Sequence, residues 1–154
     1  MRDPVNGAGW RHRAIAAASA ALLLLACVAQ AAADEGQAPA LMDTLVSAGD
    51  HRLHLMTVGE GSPAVVLDVG FGDSPAGWQA VIDRIAAHTR VVSYERAGLG
   101  RSEPGPLPRT PERAAGELVE ALRSAGIEPP CVFVGHSLGA LNLLLLGARY
   151  PELA

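Results

Sequence analysis

Cys131-Val132-Phe133-Val134-Gly135-His136-Ser137-Leu138-Gly139 is the stretch on which the fold turns. Its first four residues form an apolar run of strand length, and Leu138 to Arg149 follow as an apolar run of helical length. The residues between them therefore read as a sharp strand-to-helix turn carrying a G-x-S-x-G pattern. Such a turn lifts the Ser137 hydroxyl above a sheet. It also brings strand and helix so close that side chains at positions 135 and 139 would collide, which accounts for Gly135 and Gly139. The helix starting at Leu138 should aim its free N–H groups and positive dipole end at charge developing beside the serine. Leu138 N–H is therefore one expected oxyanion donor. The final helix, apolar nearly all round, is expected to pack in the interior.

Upstream, the chain alternates strand and helix patterns. Thr44 to Ser47 and Leu53 to Thr57 read as a hairpin around Gly49-Asp50. Ala64 to Leu67 is a continuous apolar run bounded by turn residues, as in a strand buried on both faces. Gly70-Phe71-Gly72-Asp73-Ser74-Pro75 makes a glycine-rich loop. Trp78, Val81, Ile82 and Ile85 then recur at helical spacing. Arg90 to Tyr94 reads as a strand, and Glu95 to Arg109 as a long loop rich in glycine and proline. Thr110 should cap the next helix, with Pro111 at its first position, Glu112 at its positive end, and Ala115, Leu118, Val119 and Leu122 as its apolar stripe before Gly126. Cys131 to Val134 is the third buried strand. The alternation predicts an α/β fold, a mainly parallel doubly wound sheet with helices on both faces.

Composition bounds the rest. The 154 residues allow one domain at most, and 49% hydrophobic against 18% charged residues supports a packed core. A net charge of -4, with scattered arginines, gives no footprint for nucleic acid. Residues 1–33 have the order of an export signal: Arg2, Arg11 and Arg13, an apolar run from Ala14 to Val28, then small residues suited to cleavage near Ala31 to Ala33. The protein is thus expected to be periplasmic or secreted. An alternative is a lipid anchor, because Leu24-Leu25-Ala26-Cys27 resembles a bacterial lipobox and Cys27 would then attach the chain to a membrane. Residues 34–42 suit a linker, and residues 43–154 the folded domain. Cys131 stands alone and reads as a small buried hydrophobe. No Cys/His pairing suggests a metal, and Gly70-x-Gly72 and Gly98-x-Gly100 do not complete a dinucleotide fingerprint, so no cofactor is implied.

A second oxyanion donor should come from the loop after the first core strand. There Gly70 and Gly72 leave the backbone uncovered, and Phe71 N–H is the expected group. With these residues identified, the chain from about Asp43 to Ala154 resembles the alpha/beta hydrolase superfamily. Leu67-Asp68-Val69-Gly70-Phe71-Gly72 resembles its oxyanion loop and Tyr94-Glu95-Arg96-Ala97-Gly98-Leu99-Gly100-Arg101-Ser102 the loop after its next strand. Gly135 to Gly139 resembles its nucleophile elbow, and Arg149-Tyr150-Pro151-Glu152 the end of the helix behind it. Asp68 departs from the histidine that many members carry near this loop.

The resemblance implies a serine hydrolase acting on a small-molecule ester or amide, with Ser137 as nucleophile. It also implies that the triad acid and histidine follow the nucleophile at a distance, beyond Ala154. Among the residues present, His136 supports the turn but points away from its neighbour, and His12, His51, His54 and His88 read as solvated or packed side chains. Asp73, Asp83 and Glu95 read as loop and surface carboxylates or hydrogen-bond anchors. A serine without a base is a poor nucleophile, so these 154 residues alone are expected to lack turnover. The alternative is a non-catalytic truncated or binding protein that keeps half of the fold.

Overall fold

The computed structural model describes residues 42–154. The export segment with His12 and Cys27, and the linker as far as residue 41, lie outside the described residues. The chain order is β1 (Met42–Ser47), β2 (Arg52–Val58), β3 (Ala64–Asp68), α1 (Gln79–Ala86), β4 (Val91–Tyr94), α2 (Pro111–Ser124), β5 (Cys131–Gly135) and α3 (Leu138–Arg149). One-turn 3-10 helices at Pro75–Trp78 and Pro151–Leu153 precede α1 and follow α3.

These strands form a single sheet in the order β1-β2-β4-β3-β5. The parallel set β4-β3-β5 is extended at one edge by the antiparallel β1-β2 hairpin. β3 lies at the centre of the parallel set, and all five of its residues are buried. Its alternate side chains feed two cores, as the twofold strand period requires. Val65 and Leu67 pack with Val91 and with Ile82 of α1 on one face. Ala64 and Val66 pack with Val92, Leu118 of α2 and Leu143 and Leu146 of α3 on the other. Both faces are therefore covered, and the expected fold class holds.

Local detail follows the chemistry of the termini. The Thr110 hydroxyl accepts the Arg113 N–H, Pro111 opens α2, and Glu112 lies in its first turn. The whole expected stripe of α2, Ala115, Leu118, Val119 and Leu122, is buried. Gly126 follows in the left-handed region at φ 67°, where glycine ends a helix without strain.

Three expectations need correction. Val81 faces solvent rather than the core, because the inward face of this segment runs through Trp78, Ile82, Ile85 and Ala86 at three- and four-residue steps and Val81 lies off it. β5 is not buried on both faces: among the described residues it pairs with β3 alone, and Val132 is 46% exposed. α3 is covered on one face alone. Leu143 and Leu146 enter the core, whereas Leu141 and Leu144 are 57% and 71% exposed because no described element lies over them.

Polar contacts pin the hairpin to the loop after β4. His54 is buried, with Nδ1 2.9 Å from Glu95 Oε2 and Nε2 2.6 Å from Asp43 Oδ1. Arg101 also reaches Asp43, and Arg52 pairs with Glu103. The hydrogen bond from His54, aided by Arg101, holds the Asp43 carboxyl below its ordinary value of 3.8. The bond from Arg52 does the same for Glu103, whose ordinary value is 4.5. A carboxyl depressed on folding stabilises the fold above its unfolded pKa, and that contribution is lost as pH falls through the folded value. The thermal midpoint is accordingly expected to hold down to about pH 5 and to drop below about pH 4. An Asp43→Asn/Glu103→Gln variant should start lower at neutral pH and show a shallower acid limb in the same melts.

Candidate active site

Two adjacent parallel strands, β3 and β5, send their following chains to opposite faces of the sheet, toward α1 and α3. A crevice at their carboxyl ends is the geometric consequence, and such switch points are where open α/β sheets bind ligands. Register pairs Asp68 with Gly135 at that edge. The loop Val69 to Ser74 and the turn His136-Ser137 therefore leave the sheet side by side.

Ser137 lies at this bend, exposed, with φ 53° and ψ −118°. Among the described residues it is the one non-glycine with positive φ. A side chain held there costs on the order of 1–3 kcal/mol, and such strain persists where the surroundings enforce it. The enforcement is visible at the two glycines. A Cβ on Gly135 would lie 2.6 Å from Ala140 N, against the helix, as expected. A Cβ on Gly139 would lie 2.0 Å from the Asp68 carbonyl oxygen and 2.8 Å from that of Val69. Gly139 thus faces the neighbouring strand end rather than its own strand, a closer constraint than the expected one.

The loop that follows β3 abuts this bend. A Cβ on Gly70 would fall 2.9 Å from His136 Nδ1 and 3.6 Å from Ser137 Cβ. Gly72 takes φ 75°, a conformation that favours glycine. The Phe71 side chain is 86% exposed. Among the described residues, neither Phe71 N–H nor Leu138 N–H has a hydrogen-bond acceptor, and the Ser137 hydroxyl has no partner either. Leu138 is the first residue of α3, so its N–H is free for the reason all first-turn N–H groups are. Asp73 braces the loop: it accepts from Ser74 N–H at 2.8 Å and from the Trp78 indole at 3.1 Å. These bonds, the backbone one first, lower its pKa. The Trp78 and His136 rings lie 6.2 Å apart.

Beneath the bend lies a carboxylate whose partners its local sequence does not announce. Asp68 is 1% exposed. Its Oδ1 accepts from Arg96 Nη1 at 2.6 Å, and its Oδ2 from Tyr94 OH and Asn142 Nδ2, each at 2.9 Å. Burial, and then the charge on Asp68, push the Tyr94 phenol well above its usual range. The signal that could have found this cluster was polarity out of place: an aspartate closing an apolar strand, and an asparagine inside an apolar helix. His51 and His54 are buried at the hairpin and His88 is exposed, as expected for packed and solvated side chains.

A cavity of about 220 Å³ adjoins the bend, lined by Phe71, Leu99, Pro111, Ala114 and Leu138. Its two wall arginines are both committed, Arg96 to Asp68 and Arg109 to Glu117. A larger cavity of about 470 Å³, among Asp50, His51, Glu112, Arg113 and Arg149, includes none of Phe71, Ser137 or Leu138.

A model of the alpha/beta hydrolase family matches residues 65–153. A protein of Serratia proteamaculans (strain 568), provisionally named carbamate hydrolase RutD, is 37% identical over 94 residues, covering 60% of this chain and 34% of that protein. The chain thus spans about a third of the length of the curated relatives it matches. Among solved structures, the enol-lactonase of Burkholderia xenovorans LB400 is similar at 27% identity and a TM-score of 0.66, over 71% of this chain and 43% of that one. The 2-hydroxy-6-oxo-6-phenylhexa-2,4-dienoate hydrolase of Rhodococcus sp. strain RHA1 is similar at 26% identity and a TM-score of 0.64, over 74% and 43%.

Proposed function

The chain belongs to the alpha/beta hydrolase family, and on that premise we propose that it carries the nucleophile and oxyanion hole of a serine hydrolase acting on an ester or amide. One observation carries the reading: Ser137 is held in a strained, exposed bend, beside a loop and a helix start whose N–H groups have no acceptor. Ser137 Oγ attacks the carbonyl carbon while its proton passes to a histidine. Phe71 and Leu138 N–H groups hold the resulting oxyanion. The tetrahedral intermediate collapses as the histidine returns the proton to the departing alcohol or amine, leaving an acyl group on Ser137. Water, deprotonated by the same histidine, releases the acid.

The base is a histidine held by a carboxylate, a pair that no described side chain supplies at Ser137, and without such a pair a serine hydroxyl turns over little. The acyl group lies in the cavity of Phe71, Leu99 and Leu138, and it is neutral and apolar because both wall arginines already face carboxylates. Export through residues 1–33, or attachment through Cys27, completes the proposal and rests on the order of charges and apolar residues there.

The non-catalytic alternative draws on one observation, that no described histidine bonds to Ser137. A single experiment separates the two. The gene product extended through its natural stop is treated with a fluorophosphonate and digested. An adduct on the Ser137 peptide, together with faster turnover of p-nitrophenyl butyrate than of a p-nitrophenyl succinate half-ester, is the expected result. Absence of the adduct from the folded protein would defeat the hydrolase reading.

A further inference from the structure

We propose that Arg96 is the positioning residue that aims the oxyanion donor. The inference rests on the hydrolase reading and adds to it the device that presets its geometry.

The Gly70 carbonyl and the Phe71 N–H belong to the same peptide unit. A trans peptide is planar, so its C=O and N–H point in opposite directions. Whatever grips the carbonyl therefore sets where the N–H points. Arg96 Nη2 donates to the Gly70 carbonyl at 2.8 Å, and Arg96 Nη1 donates to the Val69 carbonyl at 2.5 Å. Two successive peptides are thus held by one rigid, planar fork. The only other donor to the Gly70 oxygen among the described residues is Asp73 N–H, at 3.4 Å, close to the limit of a hydrogen bond.

An external grip matters because the loop's own hold on the Gly70 oxygen, from Asp73 N–H at 3.4 Å, is weak. Gly70 has no side chain to resist rotation of the peptide that follows it. A flip of the Gly70–Phe71 peptide would turn the N–H away and present a carbonyl oxygen to a developing oxyanion, which is repulsive.

The fork itself is anchored. The Arg96 side chain is 10% exposed and Asp68 1%, so the pair is largely shielded from water. Asp68 cannot swing, because its second oxygen is held by Tyr94 and by Asn142. Asn142 belongs to α3, whose first N–H is the other donor. One buried carboxylate therefore references both donors to the same point.

The test uses the gene product extended through its natural stop, with p-nitrophenyl butyrate as substrate and a butyl trifluoromethyl ketone as the tetrahedral mimic. Loss of one oxyanion donor lowers kcat by about 10²–10³-fold. Arg96→Met is expected to fall within this range with KM changed less than about threefold, and to weaken the ketone by a matching factor. Arg96→Lys, which keeps the charge beside Asp68 but not the fork, should recover about tenfold of the loss. Wild-type kcat in either folded variant, or a rise in KM without a fall in kcat, would overturn the proposal. If Arg96→Met fails to fold, Arg96→Lys decides alone. The Phe71 amide resonance separates this failure from failure of the hydrolase reading. A sharp signal that doubles or broadens in Arg96→Lys supports the aiming role even in a protein without turnover, and an unchanged signal refutes it.

Discussion

Ser137→Ala is expected to lower ester turnover by the extended gene product about 10⁴–10⁶-fold and to abolish phosphonate labelling. The fold should survive, because Ser137 makes no side-chain hydrogen bond and stands exposed. Alanine keeps the Cβ that is strained at φ 53°, so the thermal midpoint should barely move. Ser137→Gly provides the matched control. It removes both the nucleophile and the strain, and is expected to be equally inactive yet about 1 kcal/mol more stable. The pair divides chemistry from backbone energetics at a single position. Turnover above about 0.01% of wild type in Ser137→Ala would transfer the reaction to another group, against the roughly 10⁴-fold minimum expected of a nucleophile.

Gly139→Ala should have the largest effect on stability of the glycine-to-alanine changes in the described chain. The new carbon would lie 2.0 Å from the Asp68 carbonyl oxygen and 2.5 Å from its carbon. Backbone cannot rotate aside as a side chain can, so β3 and α3 must separate. A loss of about 3 kcal/mol or more in denaturant titrations is expected, along with most of the turnover, since the same displacement moves Ser137 relative to the Gly70 loop. Gly147→Ala, on the same helix with no described atom within 4 Å apart from its chain neighbours and its own helix backbone, is the contrast. It should gain up to about 1 kcal/mol from helix propensity. Comparable destabilisation at both positions would show that the helix dislikes the methyl in general and that the close approach is not the cause.

Much of this architecture could be read from the residues because local and global signals agree. Ala64 to Leu67 is apolar without alternation, and a strand covered by α1 on one face and by α3 on the other needs such a sequence. Thr110-Pro111-Glu112 carries its own start signal, and the helix begins there. Ser137 was legible because Gly135 and Gly139, set between a strand and a helix, mark a bend too tight to admit side chains beside it. What could not be read was set by distance in the chain. Val132, Leu141 and Leu144 are apolar but exposed, because burial depends on what lies over an element and not on its own pattern. Asp68, Arg96 and Asn142 are separated by 28 and by 46 further positions, and nothing local to any of them announces the others. Pairings of this kind are decided when the sheet forms.

The buried carboxylate has a consequence for how this site can be altered. Asp68 serves Tyr94, Arg96 and Asn142 at once, while its own carbonyl excludes any side chain at position 139. Groups that share a partner do not respond independently when exchanged. Libraries that vary one of these positions at a time will sample mostly dead proteins, whereas variation of the set together keeps charge and volume matched. Drift toward a new specificity would therefore proceed more readily at Phe71, Leu99 and Leu138, the cavity lining that no such obligation binds.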